Sequence, residues 1–165
     1  MIKSIKLLID ALREELQNYG EMLALLDRQQ EYLIARAASE VFQSISLIKA
    51  QGGAIVQARD RREDCRRAVA EDVSQPQEAS FTDLIPLLPA DYQPLLQALV
   101  EENNELLVRV RRRARQNHLM LRRSVELMQE LLNTLLPSRH GSVYDGTGSR
   151  QASAAAPRRF YEAMG

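Results

Sequence analysis

The sequence predicts an all-α protein, an antiparallel bundle of three long helices with coiled-coil-like packing, a short helical connector and a flexible C-terminal tail. Aromatic residues make up 5% of the 165 residues, and no Trp is present. Leu, Ala, Glu, Gln and Arg, which favour helices, dominate instead. Apolar residues recur every three or four positions over long segments. The seven Gly and six Pro lie mostly outside those segments.

The first predicted helix covers residues 2–37. Its apolar positions alternate in steps of four and three, with Gln30 as a single polar interruption. A heptad stripe this narrow is typical of a coiled-coil-like seam. The stripe consists of Ile5, Ile9, Leu12, Leu16, Tyr19, Leu23, Leu26, Leu33 and Ala37.

The second predicted helix covers residues 39–73, with Ser39 as its N-cap. Gly52 and Gly53 interrupt it at a cost of about 1 kcal/mol each relative to Ala. We expect a close helix approach or a tolerated weak point there, and a hinge is the less favoured alternative. The heavily charged segment 59–67 shows no wide apolar stripe. The pattern therefore predicts a helix that packs in its first half and frays or projects in its second.

Residues 74–93 form a Pro-rich connector, in which Ser80 is predicted to cap a short turn that buries apolar residues. Those residues are Phe81, Leu84, Ile85 and Leu88.

The last predicted helix covers residues 91–136, with Asp91 as N-cap and Pro137 at its end. Asn103 and Asn117 both fall on its apolar stripe, two heptads apart. Either they fix the register of the bundle, or they form hydrogen bonds with a bound segment. The helices give a domain of residues 1–137, and a Gly-, Ser- and Ala-rich tail of residues 138–165 follows it. The stripe consists of Leu96, Leu99, Asn103, Leu107, Val110, Ala114, Asn117, Leu121, Val125, Met128, Leu132 and Leu135.

Chemistry-bearing residues are few and scattered. The only histidines are His118 and His140, and Cys65 is the single cysteine, so no spacing suits a metal site. Nucleotide-binding and nucleophile motifs are missing from the sequence. The sequence therefore predicts a protein without catalytic activity and without cofactors.

Charge and hydropathy indicate a cytoplasmic protein. The 22 basic and 22 acidic residues balance, which leaves no global field toward nucleic acid or an anionic membrane. Asp10 and Arg13 interrupt the apolar N-terminal residues, so no signal peptide is predicted. No apolar run approaches the roughly 18 residues of a membrane span, and we expect no membrane insertion.

Residues 109–123 contain seven arginines and no acidic residue. One interpretation is an arginine helix that lies along phosphates. The other is a solvated face whose arginine stems cover apolar surface. Zero net charge and the shortage of aromatic residues for base stacking favour the second, so we predict no nucleic-acid partner.

Residues 117–148, NHLMLRRSVELMQELLNTLLPSRHGSVYDGTG, resemble the C-terminal half of the FlgN-like flagellar type III export chaperones. The connector FTDLIPLLP and the long N-terminal helices are similar to that family in order and length. The arginine run at 109–115 and the segment after Ser149 are outside its pattern. The matching residues are Asn117, Met120, Leu121, Val125, Met128, Leu132, Leu135, Tyr144 and Gly148.

The resemblance implies a cytosolic chaperone of flagellum biogenesis and type III protein export. Its clients would be hook-associated proteins, the hook–filament junction subunits, whose amphipathic terminal helices it would cover to prevent premature association. It would then deliver them to the export gate, with Tyr144 contacting the cytosolic domain of that gate.

The periodicity independently predicts an uncovered apolar surface on the last helix. Its stripe continues past the point at which the second helix loses its own. We therefore expect a helix-in-groove client site on this part of the last helix. Two alternatives remain open: a structural coiled-coil oligomerisation or adaptor protein, with a possible homodimer, and an Arg-rich helical nucleic-acid binder. The predicted client-binding residues are Asn117, Leu121, Val125, Met128, Leu132 and Leu135.

Overall fold

The structure, a computed structural model, describes residues 1–135 and is all-α over that range. Helices α1 (Ile2–Ile34) and α2 (Ala38–Asp72) lead into a short α3 (Phe81–Leu84) with a 3₁₀ turn (Ile85–Leu87), and α4 (Gln93–Leu135) follows. The predicted fold class is confirmed. Leu136, Pro137 and the predicted tail from 138 to 165 lie outside the described residues.

The chain divides into two units, Met1–Met128 and Gln129–Gly165. The bundle belongs to the first unit, and the described part of the second is the helical segment 129–135. None of the helices within residues 1–135 has the length and apolar content needed to cross a bilayer.

Helices α1 and α2 form an antiparallel hairpin. The turn between them is closed by Arg36, whose φ of 55° lies in the left-handed region. Close to the turn, Gln29 Nε2 donates to Ser44 Oγ at 3.1 Å. Further along, Arg61 Nη1 donates to Glu14 Oε2 at 2.7 Å. These bonds show that α2 runs back alongside α1.

Helices α1 and α4 run parallel in a fixed register. Asn103 Nδ2 donates to the carbonyl oxygen of Leu12 at 3.0 Å. Asn117 Nδ2 donates to the carbonyl oxygen of Leu26 at 2.7 Å. Both pairs are separated by 91 residues, so the register is constant over two heptads. This repeat confirms the coiled-coil-like packing that the spacing predicted.

The larger of the two buried clusters lies at the end of the bundle where α1 begins and α2 ends, and the other, around Tyr19 and Val110, lies further along. The connector completes the larger cluster, because Ser80 and Asp83 form a capping box that turns Leu84 inward. Leu84 and Leu88 are buried there, and Phe81 and Ile85 are partly buried, as predicted. The larger cluster consists of Ile5, Leu8, Ile9, Leu12, Val69, Leu88, Leu96 and Leu99.

The prediction that the second half of α2 frays is wrong. Val69 and Ala70 are fully buried there, and the neighbouring charges have partners. Arg62 Nη1 donates to the buried Glu15 Oε2 at 3.1 Å. Arg66 donates to the carbonyl oxygen of Gln77 in the connector at 2.7 Å. Charges that a periodicity count treats as solvated therefore have partners: Arg62 pairs with a carboxylate of α1, and Arg66 pairs with Glu63 of α2 and bonds to the connector.

The predicted N-caps of two helices are also wrong, and so is one of the two favoured interpretations of the glycine pair. Helix α2 begins at Ala38 with Ala37 as N-cap, so Ser39 is not the cap. Helix α4 begins at Gln93, and Asp91 lies in the preceding turn. A Cβ added at Gly52 or Gly53 would meet no atom within 4 Å. The close-approach alternative is therefore wrong, and α2 continues through both glycines as a tolerated weak point.

Candidate binding surface on the last helix

The inner face of α4 is held against α1 by its two asparagines. Asn117 is only 1% exposed, and its Nδ2 donates to Leu26 and to Gln29 Oε1, the latter at 3.0 Å. Asn103 makes the equivalent bond to Leu12. These bonds match the register alternative for both residues. Asn117 therefore lies inside the bundle and not on the exposed surface of α4.

One flank of α4 is fastened to the side of α1 that faces away from α2. Arg113 Nε lies 3.0 Å from Asp27 Oδ1, and the same guanidinium donates to Gln30. Gln30 Nε2 in turn approaches Met120 Sδ at 3.8 Å. This flank is occupied by contacts within the chain.

Towards its C-terminus α4 presents apolar side chains to solvent. Leu121 is half-buried, whereas Val125 is 55% and Met128 is 58% exposed. The constant offset explains the change, because adding 91 to Ile34, the last residue of α1, gives position 125. At Val125, α4 thus reaches the end of its parallel partner.

The remaining predicted residues fall in the second unit or beyond the described chain. Leu132 is 48% and Leu135 is 65% exposed in the segment 129–135. Tyr144 lies outside the described residues. Of the predicted client-binding residues, Leu121, Val125 and Met128 share one face of α4 within the first unit.

Exposed apolar residues that the sequence analysis did not place in a site lie near the start of α2. Phe42 is 73% and Ile45 is 45% exposed, although Val41 and Ser44 beside them are buried. A signal was present in the sequence, since positions 42, 45, 49, 52 and 56 form a second series in steps of three and four. Lys49 and Gly52 hid it because they are not apolar.

The basic run covers the outside of α4. Arg122 Nε and Arg123 Nη1 both pair with Glu126, at 3.1 and 3.7 Å. Arg111 and Arg115 are exposed and form no ion pair among residues 1–135. This part of the surface is strongly positive despite the neutral chain.

Buried titratable groups serve packing and carry no reactive arrangement. Tyr19 Oη donates to Glu15 Oε1 at 2.9 Å, and both side chains are almost fully buried. Burial, helped by that hydrogen bond, raises the pKa of Tyr19 to about 12. Burial also raises the pKa of the Cys65 thiol, which keeps it protonated and unreactive near neutral pH.

Comparison with known proteins identifies the family. Residues 1–152 match the model of the FlgN family, described as FlgN protein. The chain belongs to the FlgN family. FlgN proteins are flagellar export chaperones rather than enzymes, and this chain is a chaperone of that kind. The FlgN match takes in all four helices, the arginine run and Tyr144. No curated protein and no solved structure matches the chain.

Proposed function

We propose that this FlgN-family chaperone binds amphipathic terminal helices of hook-associated proteins in the cytoplasm and prevents their premature association. The binding residues are Leu121, Val125 and Met128, with Leu132 and Leu135 on the same helix. The observation that supports this is the exposure of Val125 and Met128 at the point where α1 ends.

The physical basis is the burial of apolar surface by a client helix. Complete burial of a Leu, Val or Met side chain contributes roughly 1.5–3 kcal/mol, and the α4 residues begin about half exposed. Several such residues, set against the loss of rotational and translational freedom, correspond to affinities of about micromolar to nanomolar. Client residues at i, i+3, i+4 and i+7 match the α4 spacing.

Substitution on α4 tests this site. Val125→Asp combined with Met128→Asp is expected to weaken binding of a hook-associated protein by at least about 100-fold, because charge replaces apolar contact. Isothermal titration calorimetry measures the affinity, and circular dichroism checks helicity. Leu119→Asp is the matched control, since Leu119 is 56% exposed on the opposite face of α4. Equal affinity for the double variant and the control would contradict the assignment.

Delivery to the export gate is proposed to depend on Tyr144. This role is taken from the resemblance to the family. Tyr144→Ala should reduce binding to the cytosolic domain of the export gate and leave client affinity unchanged. Tyr161→Ala is the control, because Tyr161 lies beyond the family match. A loss of gate binding in both variants or in neither would contradict a specific role for Tyr144.

A structural coiled-coil or adaptor role for this α4 surface is the second candidate, favoured by the same exposed residues. In that case Val125 and Met128 would pair with a second copy of the chaperone. Sedimentation at low concentration separates the two candidates. A dimer that Val125→Asp and Met128→Asp convert to a monomer, with no change in the binding of hook-associated proteins, would support the structural role for this surface.

A further inference from the structure

The first half of α2 and the middle of α4 leave exposed surface between them, and we call this surface the groove. Ser44 and Gln51 of α2 bond to α1, and the next residues, Ile45 and Gly52, lie about 100° further round the helix. They flank Ile48, which packs against the cluster that contains Val110 of α4. Ile45 and Gly52 therefore line the side of α2 that faces α4.

The other wall is the flank of α4 opposite Arg113. Leu107, Ala114 and Leu121 lie on that flank at heptad spacing. Ala114 is exposed and Leu121 is half-buried, although both face the bundle interior between α2 and α4. At this level α2 does not cover α4, and the backbones of α1 and α2 approach each other more closely than either approaches α4.

Gly52 leaves this side of α2 without a side chain. A Cβ at Gly52 would meet no atom within 4 Å, so the space above it is empty. A large side chain at position 52 would extend into that space. Gly53 lies about 100° further round the helix and is exposed on the outer surface.

One edge of the groove is positive because of exposed arginines. Arg111, Arg115, His118 and Arg122 follow one another in steps of four, three and four, and this arginine stripe lies beside Ala114 and Leu121. Its first and last members are roughly 16 Å apart along α4. Arg122 also pairs with Glu126, so the unpaired positive charge belongs to Arg111 and Arg115. All four side chains are exposed, and Arg111 and Arg115 have no acidic partner in the described chain.

We propose that this groove holds one amphipathic partner helix that lies between Ile45 and Gly52 of α2 and Leu121 of α4, with acidic residues along its edge beside the arginine stripe. The inference rests on the proposed function. It adds α2 as a second wall of the binding site, and it adds a preference for partner helices that carry acidic residues. Ion pairs at the rim of an interface contribute more to specificity and association rate than to affinity.

A second copy of this chain suits the groove poorly. The apolar part of α4 that it would insert, residues 121–135, carries two arginines and two glutamates, so it has no net charge. It therefore lacks the acidic edge that would complement Arg111 and Arg115. An acidic helix meets those arginines with opposite charge.

Filling the groove tests its role. Gly52→Phe should weaken binding of a hook-associated client by at least about tenfold, because the ring occupies the space of the incoming helix. Gly53→Phe, one residue away on the outer face, should leave binding unchanged. Urea unfolding and circular dichroism check that both variants fold, and Gly52→Leu provides a smaller side chain for the same comparison. Equal client affinity for the Gly52 and Gly53 variants would overturn the proposal.

Two designed 18-residue peptides test the charge preference. They share an apolar stripe and differ only in Glu or Lys along one edge. The Glu peptide should bind at least about tenfold more tightly at low salt, and Arg111→Glu with Arg115→Glu should reverse that order. Equal affinities, or assembly of the chain with itself in place of peptide binding, would overturn the proposal.

The results separate this inference from the proposed function. If Val125→Asp with Met128→Asp abolishes client binding but Gly52→Phe does not, the α4 site stands and the groove fails. If neither variant affects client binding, both proposals fail.

Discussion

Buried polar residues determine how the helices of this FlgN-family chain align. Asn103 and Asn117 donate to backbone carbonyls of α1 at the same offset of 91 residues. Glu15, only 1% exposed, receives hydrogen bonds from Tyr19 and Arg62 and so joins α1 to α2. Each of these groups requires its partner, because an unpaired polar atom in the interior costs about 1–3 kcal/mol. Shifts of register are therefore disfavoured.

Asn117→Asp is expected to destabilise the bundle by roughly 3 kcal/mol at neutral pH, since it places a carboxylate against the carbonyl of Leu26 and removes two donated bonds. Urea unfolding followed by circular dichroism measures the loss. Gln116→Glu is the control, because Gln116 is exposed beside it. Similar unfolding midpoints for the two variants would show that Asn117 is not a bundle residue.

Helix α2 is the element with two different halves. Its first half carries the exposed Phe42 and Ile45, and its second half contributes Val69 and Ala70 to the core. The two glycines lie between these halves and are not required by any close contact. Their cost to the helix is therefore not recovered by packing.

Gly53→Ala is expected to stabilise the protein by about 1 kcal/mol, because it removes the glycine penalty and creates no clash. For a chain of this size the midpoint of thermal unfolding should rise by roughly 2–4 °C. Client affinity should stay unchanged, as residue 53 lies outside the groove. A fall in the melting temperature would indicate that α2 needs flexibility at this position.

At the scale of the unit Met1–Met128, two buried clusters follow one another along the bundle. The larger one, which includes Ile5, Val69 and Leu96, lies where α1 begins, and the second, which includes Tyr19 and Val110, lies further along. Val125 and Met128 belong to neither cluster and are exposed where α1 ends. Substitutions at these two positions can therefore alter binding with little effect on folding.

The whole molecule should lose stability in alkali and in acid for identifiable reasons. The pKa of Tyr19 is raised from 10.0 to about 12. The contribution of the neutral phenol to the free energy of unfolding is therefore complete below pH 10 and is lost as the pH rises to about 12. The loss of stability is at most roughly 3 kcal/mol. The pKa of Glu63 is lowered by its hydrogen bond from Arg66, so that contribution is lost as the pH falls through its folded-state pKa.

The midpoint of urea unfolding, measured as a function of pH, checks both the alkaline and the acidic loss of stability, which form the two limbs of the curve. Tyr19→Phe should flatten the alkaline limb, and Glu63→Gln should flatten the acidic one. An unchanged alkaline limb in the Tyr19 variant would show that another group controls it.

The sequence by itself determined the all-α class, the three long helices and the capped connector. Those features depend on helix propensity and on the spacing of apolar residues, and both are set by residues that are close together in the sequence. It also identified α4 as the helix with surplus apolar positions. The cap positions Ser39 and Asp91 were wrong by one or two residues. Helix α2 begins at Ala38 without a side-chain cap, so the local preference for Ser did not decide where it starts.

Only the tertiary structure decided which polar residues are internal and which half of α2 packs. The periodicity of Arg62 and Arg66 indicates a solvated segment, yet Glu15 and the connector carbonyls lie within bonding distance of them. Asn117 was likewise open to two interpretations until its bonds to α1 were known. Such pairings join residues far apart in sequence. Their energies depend on distances that a one-dimensional pattern does not contain.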